Sequence, residues 1–145
     1  MNRTMRLPDR LKDPSKPRGR GQGLVEFALV LPILLLIILG VVDFGRAVYG
    51  YNTIGNAARG GGRVAIVSQT ASSIQTAAIN EAIGLGTQPA DVTIAYGCAS
   101  PYAIGCIASV TVHYTFRPVT PIIGQIWPLI DMSSTTQLPI EHVGP

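Results

Sequence analysis

Charge is scarce along most of this sequence, and lysine is nearly missing: only Lys12 and Lys16 occur. Seven of the eleven basic residues, Arg3, Arg6, Arg10, Lys12, Lys16, Arg18 and Arg20, precede Gly21, opposed there only by Asp9 and Asp13. From Gln22 onward four arginines (Arg46, Arg59, Arg63, Arg117) stand against six acids, a net of −2. With its positive charge confined to the leader, the rest of the chain has no basic patch for a nucleic acid. Catalytic frames are missing too. No serine sits in G-x-S-x-G or S-x-x-K, and there is no phosphate loop, no H-E-x-x-H and no convincing carboxylate pair. A zinc site, the rival reading of the two cysteines, normally wants four ligands, and only His113 and His142 could join Cys98 and Cys106. The expectation is a protein that is not an enzyme and needs no cofactor or metal.

What the chain does have is one long apolar run. The nineteen residues Leu24–Val42 contain a single charge, Glu26. At the helical rise this run is about 28 Å long, close to the hydrocarbon thickness of a bilayer. A domain of 145 residues has little room to bury such a helix. An ordinary secretory signal has a shorter core and a small-residue cleavage site after it, whereas "DFGRAVYG" offers no A-x-A site. The basic leader beside the run predicts a single-pass protein of the cytoplasmic membrane, with its N-terminus inside and everything after Asp43 outside.

Glu26 is the anomaly. A charged carboxylate at mid-bilayer costs on the order of 3 kcal/mol, less near the interface. It either snorkels to water or pairs with a cation in the apolar layer. Pro32, inside the run, removes one helix donor, which membrane helices tolerate.

Beyond Val42 the apolar residues Phe44, Ala47, Val48, Tyr51, Ile54 and Ala58 recur at helical spacing, predicting an amphipathic stem with one apolar face. Glycines at 40, 45, 50, 55 and 60 do not share a stripe, and each weakens a helix by roughly 0.5–1 kcal/mol. Gly60-Gly61-Gly62 is the expected break. Asp43 and Arg46, three apart, are placed to pair. Arg59 and Arg63, four apart, form either a solvated edge or a contact with the sheet or another subunit.

Ser72 and Gln75 read as a capping box opening a second helix, which Gly84 and Gly86 would close. Val92, Ile94 and Tyr96 alternate as a strand. Ala108, Val110, Val112, Tyr114 and Phe116 alternate as a stronger one, with His113 on its polar side. "RPVTPIIGQIWPLID" reads as a proline-rich loop in which Trp127 and its isoleucines are core cover or an interaction patch. A last strand lies in "MSSTTQLPIE", with Pro139 marking an edge or an end. Cys98 and Cys106 flank "ASPYAIG". An oxidising compartment favours their pairing, for a gain of roughly 2.5 kcal/mol at most.

Taken together, "GLVEFALVLPILLLIILGVVDFGRAVYGYNTIGNAARGGGRVA" resembles the TadE-like family of tight-adherence (Tad/Flp) pilus systems. The elements that carry the resemblance are VEFALVLP, an apolar run, an acid with FGRA, and N-A-A-R-x-G-x-R. The leader, Gly21 and Glu26 also resemble a type IV-like prepilin signal. The resemblance implies an α+β, pilin-like fold: a long N-terminal helix, a short second helix and a small antiparallel sheet. The expected divisions are a leader (1–21), a transmembrane helix (22–43), a stem (44–67) and a small extracytoplasmic domain (68–145). It further implies a minor pilin or pseudopilin, cut by a prepilin peptidase between Gly21 and Gln22, with Glu26 setting register through the new amine. The implied partners are the major Flp pilin, other minor pilins, the inner-membrane assembly platform and the lipid bilayer, with no nucleic acid. A rival of another class is a single-pass extracytoplasmic binding or envelope protein that keeps its leader.

Overall fold

The structure, a computed structural model, describes residues 20–126 and 128–143. The leader residues before Arg20, and Trp127, lie outside the described residues. The chain is α+β. Helices α1 (Arg20–Ala65), α2 (Ala71–Glu81) and α3 (Pro121–Ile126) accompany strands β1 (Val92–Tyr96), β2 (Ile107–Phe116) and β3 (Ile130–Pro139). Two compact units divide at Leu35 and Leu36.

The described part of the first unit is the start of α1. Residues 21–30 are all exposed, and this surface is apolar apart from Glu26 and the few small or polar residues that begin it. Pro32 lies inside the helix. A helix apolar on every side requires a non-aqueous surrounding.

The second unit is built on an antiparallel sheet in the order β1-β2-β3. β2, at the centre, pairs Val112 with Val92 on one side and with Ser134 on the other. Its alternate residues Ala108, Val110, Val112 and Phe116 are buried. The opposite face is polar: Thr111 and Thr135 join hydroxyl to hydroxyl at 2.8 Å, and the Thr115 hydroxyl donates to Asp131 at 2.9 Å. One buried and one wet face is what an alternating antiparallel sheet permits. β3 is an edge strand whose last residue, Pro139, sits opposite Ile107, so the missing N–H falls at the end of the ladder.

The buried face rests on the second half of α1 and on α2. Ile54, Ala57, Ala58 and Ala65 of α1 share one core with Ile74 and Ala78 of α2, Val110 and Val112 of β2, and Ile140. Helix and strand run side by side over matched lengths. Arg46 to Ala65 spans about 29 Å of helix, and Phe116 to Ile107 about 30 Å of strand. Contacts are ordered along this length. Arg46 lies over the Phe116 ring, Gly50 faces Tyr114, Gly61 faces Val110, and the Ile66 carbonyl accepts the amides of Glu141 and His142 at 3.0 Å.

Four expectations are corrected. First, Gly60-Gly61-Gly62 does not break α1, which continues to Ala65. These glycines serve close approach. A Cβ on Gly61 would lie 3.1 Å from Val110 Cγ1 and 3.2 Å from Ala78 Cβ, and one on Gly62 would lie 3.1 Å from Thr136 Cγ2. Packing on both sides holds a helix that propensity alone would weaken.

Second, the face that α1 turns inward is the expected one only in part: Ile54 and Ala58 are buried as expected, but the larger residues before them are not. Asp43, Gly50, Thr53, Ile54, Ala57, Ala58, Gly61, Gly62 and Ala65 are buried, while Phe44, Val48 and Tyr51 are exposed. Small residues let the sheet come near, and the bulky ones are left on another side.

Third, Ser72 and Gln75 form no capping box. α2 opens at Ala71 with Thr70 as N-cap and no side-chain cap, and the Gln75 amide donates instead to the Pro89 carbonyl at 3.1 Å. Gly84 and Gly86 do follow the helix, both in the left-handed region at φ +78° and +69°.

Fourth, the proline-rich loop contains α3, opened by Pro121 at the position where a missing N–H costs nothing. Ile126, Leu129 and Ile130 around it are exposed and do not cover the core.

Candidate functional site

The best-ordered polar constellation centres on Asp43, one residue past the apolar run and only 4% exposed. Both of its oxygens accept the Val119 amide at 2.9 Å, and Oδ2 also accepts the Thr120 amide at 2.7 Å and the Thr120 hydroxyl at 2.6 Å. Arg46 Nη1 donates to Oδ1 at 3.2 Å. Val119 and Thr120 stand between Pro118 and Pro121, neither of which has an N–H, and both amides of that interval donate to Asp43. A buried carboxylate is tolerable only with such donors. The Asp43–Arg46 pair is present, and it is the one ion pair among the described residues. Sequence reasoning did not reach the loop donors, which lie 76 and 77 residues away. Their only signal was the P-V-T-P spacing.

Arg46 serves three neighbours. It pairs with Asp43, reaches the Arg117 carbonyl at 3.5 Å, and places its guanidinium 5.3 Å from the Phe116 ring centroid. Beside this clamp lies an apolar pocket of about 300 Å³, lined by Gly40, Asp43, Phe44, Ala47, Phe116, Pro118 and Ile130.

Arg59 and Arg63 lie on an exposed edge of α1. With Asn56, Gly60 and Glu81 of α2 they line a polar cleft of about 240 Å³. No ion pair holds either arginine among the described residues. Gly21, Gln22 and Glu26 lie exposed on the first turns of α1, and no ion pair includes Glu26 among the described residues. These residues are not brought to one place: Asp43 and Arg46 form the clamp, Arg59 and Arg63 the cleft, and Gly21, Gln22 and Glu26 stand at the helix start.

Cys98 and Cys106 are disulfide-bonded with Cα atoms 6.0 Å apart, closing the β1–β2 connection. Tyr96 stacks on Tyr102 at 4.0 Å, and burial, with Tyr102 adding, pushes the Tyr96 hydroxyl up from its usual pKa. His113 is exposed on β2 and lines a small polar pocket with Thr87 and Asp91. Asp91 is engaged at the Gln88 amide at 2.7 Å. No group of three or more metal-ligating side chains occurs among the described residues.

Among the described residues, one helix is long and apolar enough to cross a membrane. No curated protein and no solved structure matches the chain. The model of the family described as TadE-like protein matches residues 21–63. That stretch holds Glu26, the Asp43–Arg46 pair and both edge arginines, and it ends two residues before α1 does. Over this helix the chain is similar to TadE-like proteins, and among the described residues it has one N-terminal apolar helix suited to anchoring in a membrane.

Proposed function

We propose that the chain is a minor pilin or pseudopilin of a Tad/Flp pilus. A prepilin peptidase cuts it between Gly21 and Gln22, and the helix over 22–43 then keeps it in the cytoplasmic membrane. The observation that carries this reading is the TadE-like match over residues 21–63, with Glu26 fifth in the chain that would begin at Gln22. The new amine at Gln22 lies about one helical turn from Glu26, and a neighbouring subunit's amine is an equivalent partner. Either pairing offsets the cost of a carboxylate in the apolar layer and fixes the stagger between helices.

A second feature supports assembly. Val41, Phe44, Val48 and Tyr51 form an exposed apolar stripe on α1, at positions spaced three and four apart. In water such a stripe is a liability, and against a neighbouring helix it is buried. Arg59 and Arg63 lie farther along the same helix, available to a carboxylate of the major pilin, another minor pilin or the assembly platform. The chain's role is thus to dock and align.

The test is genetic and visual. In cells that make the fibre, deleting the chain should sharply reduce surface pili, and the full-length chain should restore them. Glu26→Gln should enter the membrane at wild-type level and fail to restore them. Full restoration by Glu26→Gln would remove the register role.

A further inference from the structure

We propose that the chain on either side of α3, tied to α1 by Asp43, rests on the outer surface of the bilayer and dips the side chains of Val119, Ile126 and Leu129 among the lipids. The proposal rests on the membrane-anchor reading above and adds a second point of lipid contact.

Position is the first support. Exposed apolar residues of α1 continue through Val41 and Val42. Asp43 follows at once and holds the amides of Val119 and Thr120 at 2.7–2.9 Å. The segment therefore begins at the level where the apolar part of the helix ends. It is not a distant loop brought near by chance, since the carboxylate is buried and its donors come from that backbone.

Composition is the second. The thirteen residues 118–130 carry no charge. Val119 is 62% exposed, Ile126 60% and Leu129 51%, values typical of side chains with nothing packed on them. Phe44 and Ile130, also exposed, carry the apolar surface from helix to segment across the pocket beside Asp43. The patch is thus continuous with the surface that the bilayer already covers, which favours lipid over a separate protein partner.

Charge placement is the third. Arg46 and Arg117 stand at the margin of this surface, where lipid phosphates would lie. The acids nearby do not oppose this. Asp43 is buried among donors, and Asp131 accepts the Thr115 hydroxyl on the wet face of the sheet.

The probe is tryptophan fluorescence in vesicles of phosphatidylcholine brominated on its acyl chains near the headgroup. The full chain carries Trp127→Phe, which removes its single tryptophan, and one new reporter at a time. Ile37→Trp reports the membrane helix, Val119→Trp and Leu129→Trp the segment, and Ala99→Trp, at an exposed position of the β1–β2 connection, the far end of the sheet. Quenching is expected at 37, 119 and 129, with none at 99. Quenching at 37 without quenching at 119 and 129 would overturn the proposal and leave the anchor intact. No quenching at any position would overturn both.

Discussion

Asp43 and Thr120, 77 residues apart in sequence, meet through two hydrogen bonds to one carboxylate oxygen, from the amide at 2.7 Å and the hydroxyl at 2.6 Å. The contact ties the end of the apolar run to the loop that leads from β2 to β3. It makes a single side chain responsible for where the sheet begins relative to the stem helix.

Asp43→Ala should therefore be the most damaging substitution outside the core. It leaves two amides and a hydroxyl without their acceptor, at a cost of about 3 kcal/mol. Thr120→Val removes one donor and should cost about 1 kcal/mol. Thermal unfolding of the full chain in detergent micelles checks the order. Asp43→Ala unfolding within experimental error of the wild type would contradict it.

The glycines of α1 should separate into two classes. A Cβ on Gly45 meets nothing within 4 Å and one on Gly55 only Ser134 Oγ at 3.8 Å, so alanine at either should stabilise by roughly 0.5–1 kcal/mol through helix propensity. Gly61→Ala presses on Val110 and Ala78, both fully buried and unable to give way, and should destabilise by about 1–3 kcal/mol. The same unfolding measurement decides. Equal effects at 55 and 61 would mean that the sheet does not lie against Gly61.

Loss of the disulfide should cost roughly 2.5 kcal/mol at most, because the loop it closes is short. Denaturant unfolding of Cys98→Ser/Cys106→Ser against the oxidised wild type measures this. A loss of stability several times larger would show that the β1–β2 connection contributes much more than chain closure.

Arg59→Glu with Arg63→Glu should leave folding within about 0.5 kcal/mol of the wild type, as exposed substitutions do. The same variant should lower the number of assembled pili. Normal pilus numbers would return the two arginines to an ordinary solvated edge.

Much of this was legible from local pattern. The apolar run, the alternation in β1 and β2 and the edge proline of β3 depend on period and on single-residue chemistry, which a sequence displays directly. The inward face of the stem was legible only in part. Ile54 and Ala58 of the expected face are buried, whereas its larger residues Phe44, Val48 and Tyr51 are exposed. The correct stripe consists of glycine, alanine, Thr53, Ile54 and Asp43, and its meaning lies in how near another element comes. The continuity of α1 past Gly62 was hidden for the same reason: packing decided against propensity. The Asp43–Arg46 pair was readable because three residues separate its members. The Val119 and Thr120 donors were not, because nothing local joins them to position 43.

The most direct test of the pilin reading is the intact mass of the chain isolated from its native membrane, with sequencing of its N-terminus. A mature chain beginning at Gln22 is expected, with the apolar helix retained. A chain that still begins at Met1 in a cell with an active prepilin peptidase would contradict it.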